Sequence, residues 1–276
     1  MSRLAGRAVE SPIPERSDAA MPLTTSHRDT TRSVVFAPLD DGTARAELVV
    51  RRLTDAIVSG MLHDGERLPS EAELSRTLGV AVVTAREALE ALRDSGLVQT
   101  RRGRDGGSFV TYDRDAATRM LAARLQGHSR IELRDLGIHM SAIAGTAAEL
   151  AADHASDDDL DTLRSIHEAA DLSTAGGARR AVARFQLELA AISQSPRLVR
   201  EEVRLQAEAG PLLWLCLREQ EYRERTASTR MRIISAIRDV SPEAARSAVI
   251  TLVDDAVEWL MEEKLRLDAA EEARSG

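Results

Sequence analysis

The basic side chains most suited to binding phosphate cluster in one short segment of this 276-residue chain. Arg101, Arg102 and Arg104 lie just before Gly106 and Gly107, and β-like residues flank this segment on both sides. Guanidinium groups pair with phosphate oxygens, and glycines allow the backbone to approach a ligand closely. The pattern therefore predicts a hairpin whose basic, glycine-rich tip contacts a nucleic-acid backbone.

Two short helices precede this hairpin and would position it. Ser70 and Glu73 fit a capping box at a helix start, and Gly79 and Gly96 are helix-terminating residues. Between the two glycines, residues 82–95 have an apolar face at helical spacing, formed by Ala85, Ala88, Leu89 and Leu92. The order of helix, turn, helix and hairpin predicts a winged helix-turn-helix, which places its second helix in a DNA major groove.

Composition limits the class of protein. The hydrophobic fraction of 43% and the charged fraction of 30% are typical of a globular protein. No apolar run has the length of a membrane span, and the N-terminus lacks the apolar core of a signal peptide, so we expect a cytoplasmic protein with no membrane partner. The single cysteine, Cys216, excludes an intramolecular disulfide.

The net charge of −8 is unevenly distributed along the chain. Residues 45–112 contain ten arginines and ten acidic residues, so the acidic excess lies mostly after them. A neutral DNA-binding segment with a basic hairpin gains useful affinity when two copies bind together. The charge pattern therefore favours a homodimer.

Four segments follow from these patterns: a disordered tail over 1–44, a winged helix-turn-helix over 45–112, a linker helix over 113–129, and a helical effector-binding and dimerisation domain over 130–270. The fold class is mostly α, a winged helix-turn-helix followed by an all-α bundle. Apolar periodicity after residue 130 predicts helices over 132–154, 157–172, 178–193, 197–220, 224–240 and 242–270.

The residues from Gly60 to Val98 also resemble a known family. They contain the pattern G-x-x-x-x-G-E-x-L-P-S-E-x-E-L-x-x-x-L-G-V-x-x-x-T-x-R-E-A-L-x-x-L-x-x-x-G-L-V. This pattern closely resembles the DNA-binding domain of GntR-family bacterial transcription regulators. The helical remainder is similar to the FadR-type branch, which carries a helical FCD-like effector domain.

The resemblance implies that double-stranded operator DNA is the partner. It assigns phosphate contacts to Ser70 and Thr84, and it assigns a phosphate or guanine-edge contact to Arg86. The wing contacts would come from Arg101, Arg102, Arg104 and Gly106. Two positions depart from the family, since Ala72 and Val82 stand where arginine or another polar residue is common. The operator would then be read more through thymine methyl groups and through the wing.

The resemblance also implies a metal site that this sequence does not preserve. FadR-type domains commonly hold a divalent metal through one Asp and three His, and these four positions align with Val182, Gln186, Arg230 and Leu252. Two of these side chains have no donor atom, and a guanidinium repels a cation. We therefore predict no metal and no cofactor.

The aligned cavity positions predict an acidic effector instead. Met140, Ala144, Gln186, Arg230 and Leu252 would line a mostly apolar cavity with one guanidinium, which suits a fatty acid or an acyl-CoA-like ligand. No nucleophile–base pair or phosphate-cradling loop indicates an enzyme. The leading prediction is an effector-controlled regulator, with repression the commoner mode in such families. The alternatives are a constitutive dimeric DNA-binding protein whose core holds no ligand, and a metal-dependent sensor.

Overall fold

A computed structural model describes residues 35–36, 45–58, 60–103, 106–111 and 114–275 of the chain. The N-terminal domain, residues 45–111, begins with α1 (Arg45–Val58), α2 (Glu71–Leu78) and α3 (Val82–Asp94). The strands β1 (Val98–Arg101) and β2 (Gly107–Val110) follow. The predicted winged helix-turn-helix is confirmed, with element boundaries within a few residues of those expected.

Local sequence signals fix the geometry of the helix-turn-helix. The Ser70 hydroxyl caps α2, and the Glu73 side chain accepts a bond from the Ser70 backbone in return, which completes the capping box. Gly79 ends α2 in the left-handed region at φ 68°, where glycine carries no steric penalty. The inner faces of α1, α2 and α3 then bury Leu53, Leu74 and Leu89 together in the domain core.

The wing is a two-stranded antiparallel hairpin joined to the rest of the domain. Val98 pairs with Val110 and Arg101 pairs with Gly107. A third segment contacts β2, because the backbone N–H of Leu68 donates to the carbonyl of Ser108 at 2.9 Å. The hairpin is therefore fixed at its base, and its tip is the free end.

The helix α4 (Arg114–Gln126) leads from the wing into the helical domain, residues 130–275. That domain contains α5 (Arg130–His154), α6 (Asp157–Glu168), α7 (Ala175–Ile192), α8 (Pro196–Glu208), α9 (Gly210–Leu213), α10 (Gln220–Arg238) and α11 (Pro242–Ser275). A short 3₁₀ segment, Trp214–Arg218, separates α9 from α10. The predicted fold class, mostly α with an all-α second part, is confirmed.

The predicted helix over 197–220 is interrupted near Gly210 and Pro211, a pair that in the sequence indicates a break or kink. The helix α8 ends at Glu208, and the chain continues through α9 and the 3₁₀ segment, because Pro211 cannot donate the backbone hydrogen bond that a continuous helix needs. The start of α7 lies three residues before the predicted position, since the Thr174 side chain caps the helix by accepting from the N–H of Gly177.

Two residues within the predicted disordered tail, 1–44, are buried in the structure. Val35 and Phe36 are buried, and both belong to the same apolar cluster as the core of the N-terminal domain. Their side chains are hydrophobic, so burial removes them from water at little conformational cost. The rest of that prediction lies outside the described residues.

The two long helices α5 and α11 pack closely, since a Cβ atom at Gly137 would lie only 2.5 Å from a methyl carbon of Val257. The N-terminal and helical domains also touch. A Cβ atom at Gly60 would lie 3.0 Å from the Cα atom of Gly176, so only bare backbone fits there. None of the helices in the described part of the chain has the length and apolar character of a membrane span.

Candidate nucleic-acid interface and effector site

The N-terminal ends of α2 and α3 meet at the exposed surface through one ion pair. The Nε atom of Arg86, on α3, donates to an Oε atom of Glu71, the first residue of α2, at 3.0 Å. The Arg86 side chain is 57% exposed, so the pair faces solvent. This contact brings Arg86 close to Ser70, which immediately precedes Glu71.

The two predicted hydroxyl contacts differ in their surroundings. The Ser70 hydroxyl donates to the Glu73 carboxylate at 2.7 Å within the capping box, so a phosphate contact would have to share or replace that bond. Thr84 lies in the first turn of α3 and is half-buried. Helix N-termini favour anions because their free N–H groups and the helix dipole point toward them.

The first turn of α3 also presents apolar side chains to solvent. Val82 is 45% exposed and Val83 is 58% exposed, whereas Ala85 and Ala88 on the opposite face are buried. Exposed methyl groups at this end of a recognition helix can contact thymine methyl groups in the major groove. The contribution of apolar contacts to operator recognition stays a prediction.

The wing supplies the second basic surface. Arg101 lies over the Phe109 ring, 4.4 Å from its centroid, and Arg102 is exposed. Gly106 closes the tip, and its N–H donates to the Gly103 carbonyl at 2.9 Å. Arg104 lies outside the described residues. Among the described residues, no hydrogen bond or ion pair joins the wing to Thr84 or Arg86.

All five predicted effector-site residues lie inside the helical domain. Each is at most 3% exposed: Met140, Ala144, Gln186, Arg230 and Leu252. Arg230 differs from the others because all three of its guanidinium nitrogens are buried without a hydrogen-bond acceptor in the described part of the chain. Burial lowers the pKa of Arg230 to about 10, so the group is still a cation at neutral pH.

Gln186 belongs to a second set of buried polar side chains. The Gln206 side-chain amide donates to the Gln186 side-chain oxygen, and also to Glu202 at 2.7 Å. Burial raises the pKa of Glu202 to about 7, and one of its carboxyl oxygens has no hydrogen-bond donor in the described residues. Gln186 is therefore part of an amide–carboxyl cluster on α7 and α8.

The structure does not join the two polar positions of the predicted cavity. Within the described residues, no hydrogen bond links Gln186 to Arg230. Arg230 lies near α6 instead, where burial lowers the pKa of His167 and the Arg230 charge lowers it further. The lowered pKa keeps His167 neutral at pH 7, so this side chain adds no positive charge beside Arg230.

The aligned metal position does not fit a metal. Val182 and Leu252 belong to an apolar cluster, and Arg230 carries a positive charge. In the ranges that the structure describes, no group of three or more His, Cys, Asp or Glu side chains could hold a metal ion. A donor set of two aliphatic side chains, an amide and a guanidinium cannot replace one carboxylate and three imidazoles.

Two family models match the chain. The model of bacterial regulatory proteins of the gntR family matches residues 45–110, and the FCD domain model matches residues 139–255. The HTH-type transcriptional regulator named RmpR from Mycobacterium gastri is 37% identical over 230 residues, which cover 82% of this chain and 84% of that protein. The chain belongs to the GntR family.

Other GntR-related proteins show weaker similarity. Rv0494 of Mycobacterium tuberculosis, named as an HTH-type transcriptional regulator, is 28% identical over 154 residues, covering 54% of this chain and 61% of that protein. The solved structure of McbR/YncC from E. coli covers 81% of this chain and 99% of its own at 17% identity, with a TM-score of 0.43. The GntR domain implies DNA binding, and the FCD domain implies a small-molecule effector. Since the family consists of transcription regulators, the prediction of a non-enzymatic protein is confirmed.

Three polar residues of these sites were not predicted from the sequence. Glu71 pairs with an arginine fifteen positions away, so only the fold reveals it. The sequence pattern could have identified Glu202 and Gln206, because these polar residues are four positions apart on the same helix face as the buried Leu205. Polar side chains on an apolar helix face indicate either a buried network or a binding site.

Proposed function

We propose that this GntR-family protein is a homodimeric repressor, acting in the cytoplasm, whose operator affinity is lowered by an acidic effector of the acyl type. Each N-terminal domain would bind one operator half-site, and the helical domains would form the dimer. The effector would bind in the helical domain with its acidic group at Arg230. The observation that carries the effector proposal is the fully buried Arg230 guanidinium without an acceptor.

Operator binding would begin at the exposed ends of α2 and α3. Ser70 and Thr84 would bind phosphates, Arg86 would bind a phosphate or a guanine edge, and the wing would enter the minor groove. The wing residues in this proposal are Arg101, Arg102, Arg104 and Gly106. The exposed ion pair between Arg86 and Glu71 supports it, because the guanidinium can exchange a weak surface partner for a phosphate.

Gel-shift titration of DNA from upstream of the gene tests this assignment. We expect Arg86→Ala to weaken operator binding by about 1–3 kcal/mol, the cost of losing one specific arginine contact. Arg93→Ala is the matched control, because Arg93 lies at the other end of α3 and pairs with Glu90. Equal affinity of the Arg86 variant and the wild type would remove Arg86 from the interface.

An anionic effector would relieve the electrostatic cost of Arg230. A buried cation without a partner destabilises a protein by several kcal/mol, and a carboxylate bonded to it would recover much of that energy. Met140, Ala144 and Leu252, the apolar positions of the proposed site, are buried and suit an apolar body rather than a sugar or a dicarboxylate. Fatty acids and acyl-CoA-like compounds combine these two properties.

The effector proposal is tested with decanoate and an acyl-CoA in thermal-shift and operator-binding measurements. We expect both anions to raise the melting temperature of the wild type and to lower its operator affinity. Arg230→Met should raise the melting temperature without ligand, since it removes the buried charge, and it should reduce the response to ligand. Arg232→Met is the control, because Arg232 is exposed on the same helix.

Other outcomes would identify the alternatives. Operator affinity that no acyl anion changes would indicate a constitutive DNA-binding protein. Stoichiometric divalent metal in the purified protein would indicate a metal-dependent sensor with ligands other than those aligned above. A monomer in sedimentation analysis, with and without operator DNA, would contradict the proposed homodimer.

A further inference from the structure

A cavity of about 570 Å³ lies between the N-terminal domain and the helical domain. The turn after α1 and the helix α4 form one side, and the loop before α7, the 3₁₀ segment and the end of α11 form the other. This volume lies within the range of small-molecule sites in proteins. Arg230 does not line this cavity, so the cavity is separate from the effector site proposed above.

The two domains contact each other at the rim of this cavity. The Arg180 guanidinium donates to the Gly60 carbonyl across the interface. Next to that bond, a Cβ atom at Gly176 would lie 2.8 Å from the Gly60 carbonyl oxygen, so the backbones are in direct contact. Any ligand in the cavity therefore touches both domains beside their junction.

The cavity wall carries more positive than negative charge. Four guanidiniums line it, and they belong to Arg179, Arg180, Arg218 and Arg223. Three carboxylates also line it, but Glu263 accepts a bond from Arg218 at 2.7 Å and Asp171 accepts bonds from Ser173 and Thr174 within its own loop. The third, Asp64, is exposed.

Three of the four guanidiniums donate to backbone carbonyls, and Arg179 and Arg180 donate to those of Trp214 and Gly60. Arg223 donates to the carbonyls of Leu172, Leu217 and Arg218 at 2.9–3.0 Å. Carbonyl dipoles hold a guanidinium in place without neutralising its charge. Burial lowers the pKa of Arg180 despite the opposing charges of Asp171 and Glu66. The wall thus holds fixed cations that an anion would stabilise.

Apolar side chains also line the cavity. Leu121 and Leu125 lie on α4, and Leu215 and Leu267 come from the helical domain. Leu125 and Leu215 belong to the main hydrophobic core. A wall that combines apolar side chains with fixed guanidiniums is complementary to a molecule with one anionic end and one apolar end.

We propose that this interdomain cavity is a second ligand site, which takes a small amphipathic anion with a carboxylate or phosphate head and an apolar body. The head would lie among Arg179, Arg180 and Arg223, and the body would pack against Leu121 and Leu125. Because the ligand contacts both domains, it binds best to the domain arrangement seen here and shifts the population toward it. Its occupancy therefore changes operator affinity independently of Arg230.

Isothermal titration calorimetry with decanoate and decyl phosphate tests this site, with decanol as the uncharged comparison. The titrations use Arg230→Met as the background, which removes the first proposed site. Ala122 lines the cavity, so adding Ala122→Phe should fill it and weaken binding of the anions at least tenfold. Ala123→Phe is the matched control on the neighbouring exposed position and should leave the affinity within twofold. Arg223→Gln keeps the cavity open, and we expect it to weaken binding of both anions about tenfold.

Four outcomes separate this site from the effector site. Saturable binding that survives in Arg230→Met and is lost when Ala122→Phe is added to that variant supports the proposal. Binding that Arg230→Met abolishes and Ala122→Phe does not would overturn it while leaving the effector proposal intact. Equal affinity for decanol and decanoate would overturn the assignment to an anion, and the absence of any saturable binding of decanoate or decyl phosphate would overturn the site itself.

Discussion

Arg86 is restrained by Glu71 at the surface that we propose for operator binding. The pair is solvent-exposed, and such pairs contribute only about 0–1 kcal/mol to stability. A phosphate is a stronger partner for a guanidinium than an exposed carboxylate is, since the bond is charge-assisted and can be bidentate. Glu71 thus holds the Arg86 side chain in an extended geometry while competing weakly with DNA for it.

Removing this competitor should strengthen operator binding. We expect Glu71→Gln to raise operator affinity about twofold to fivefold, which corresponds to the small free energy of an exposed ion pair. Glu168→Gln removes the same charge from an exposed position in the helical domain and serves as the control in the same fluorescence-anisotropy titration. A weaker complex for Glu71→Gln would mean that the carboxylate positions Arg86 productively.

Glu202 gives the protein a pH-dependent stability. Its pKa is about 7 in the folded protein against an ordinary value of 4.5, because burial disfavours the carboxylate. The folded state therefore retains a proton that the unfolded state loses, so the free energy of unfolding falls as pH rises from about 4.5 to 7.

Glu202→Gln should remove this dependence. The variant should match the wild type at pH 4 and exceed its free energy of unfolding by up to about 3 kcal/mol at pH 8. Urea denaturation at both pH values measures the difference, and Glu221→Gln, at an exposed position, is the control. A variant that is less stable than the wild type at pH 8 would show that the charged carboxylate has a partner that stabilises it.

The wing depends on glycine at its tip. A Cβ atom at Gly106 would lie 2.6 Å from the Arg101 carbonyl oxygen and 2.8 Å from that of Gly103, which is closer than real contacts allow. The hairpin would have to open, while its base would stay paired with the segment around Leu68. A single methyl group at the wing tip should thus change DNA binding without changing the domain core.

Gly106→Ala should weaken operator binding about tenfold, or about 1.4 kcal/mol, while the melting temperature stays nearly constant. Gel-shift and thermal-shift measurements on the same preparation separate these two effects. Gly127→Ala is the control, because its Cβ atom would lie at an ordinary 3.4 Å from the nearest carbonyl oxygen. If Gly106→Ala binds the operator as the wild type does, the wing does not contact DNA.

The elements that sequence patterns predicted well are those defined by local signals. The capping box at Ser70 and the glycine at position 79 fix α2 from residues within one turn, so the helix-turn-helix was predictable. Gly210 and Pro211 likewise indicate the break after Glu208, but the apolar residues that follow do not indicate the 3₁₀ segment. The Glu71–Arg86 pair and the cavity beside Gly60 depend on tertiary packing, which periodicity does not encode.

At the scale of the whole molecule, one arginine connects three elements. Arg124, on α4, forms an ion pair with Asp55 on α1 and donates to the Glu208 carbonyl at the end of α8 at 2.8 Å. The Asp55 carboxyl is 7% exposed, and burial raises its pKa even though Arg124 opposes the shift. This junction links the N-terminal domain to the helical domain, so it is a route by which ligand binding could reach the operator-binding surface.

A double-mutant cycle tests whether this junction couples the domains. Arg124→Gln leaves the Asp55 carboxylate buried without its cation and should lower the free energy of unfolding by about 3–5 kcal/mol. The double variant Asp55→Asn, Arg124→Gln removes the stranded charge and should recover much of that loss, so the two substitutions should be strongly non-additive in urea denaturation. Arg134→Gln, at an exposed position of α5, controls for the loss of an arginine. Calorimetry of Arg124→Gln should then separate the unfolding transitions of the two domains, because the substitution removes the junction between α1, α4 and α8. Additive single substitutions, or one unchanged transition in the Arg124 variant, would mean that the domains are held together elsewhere.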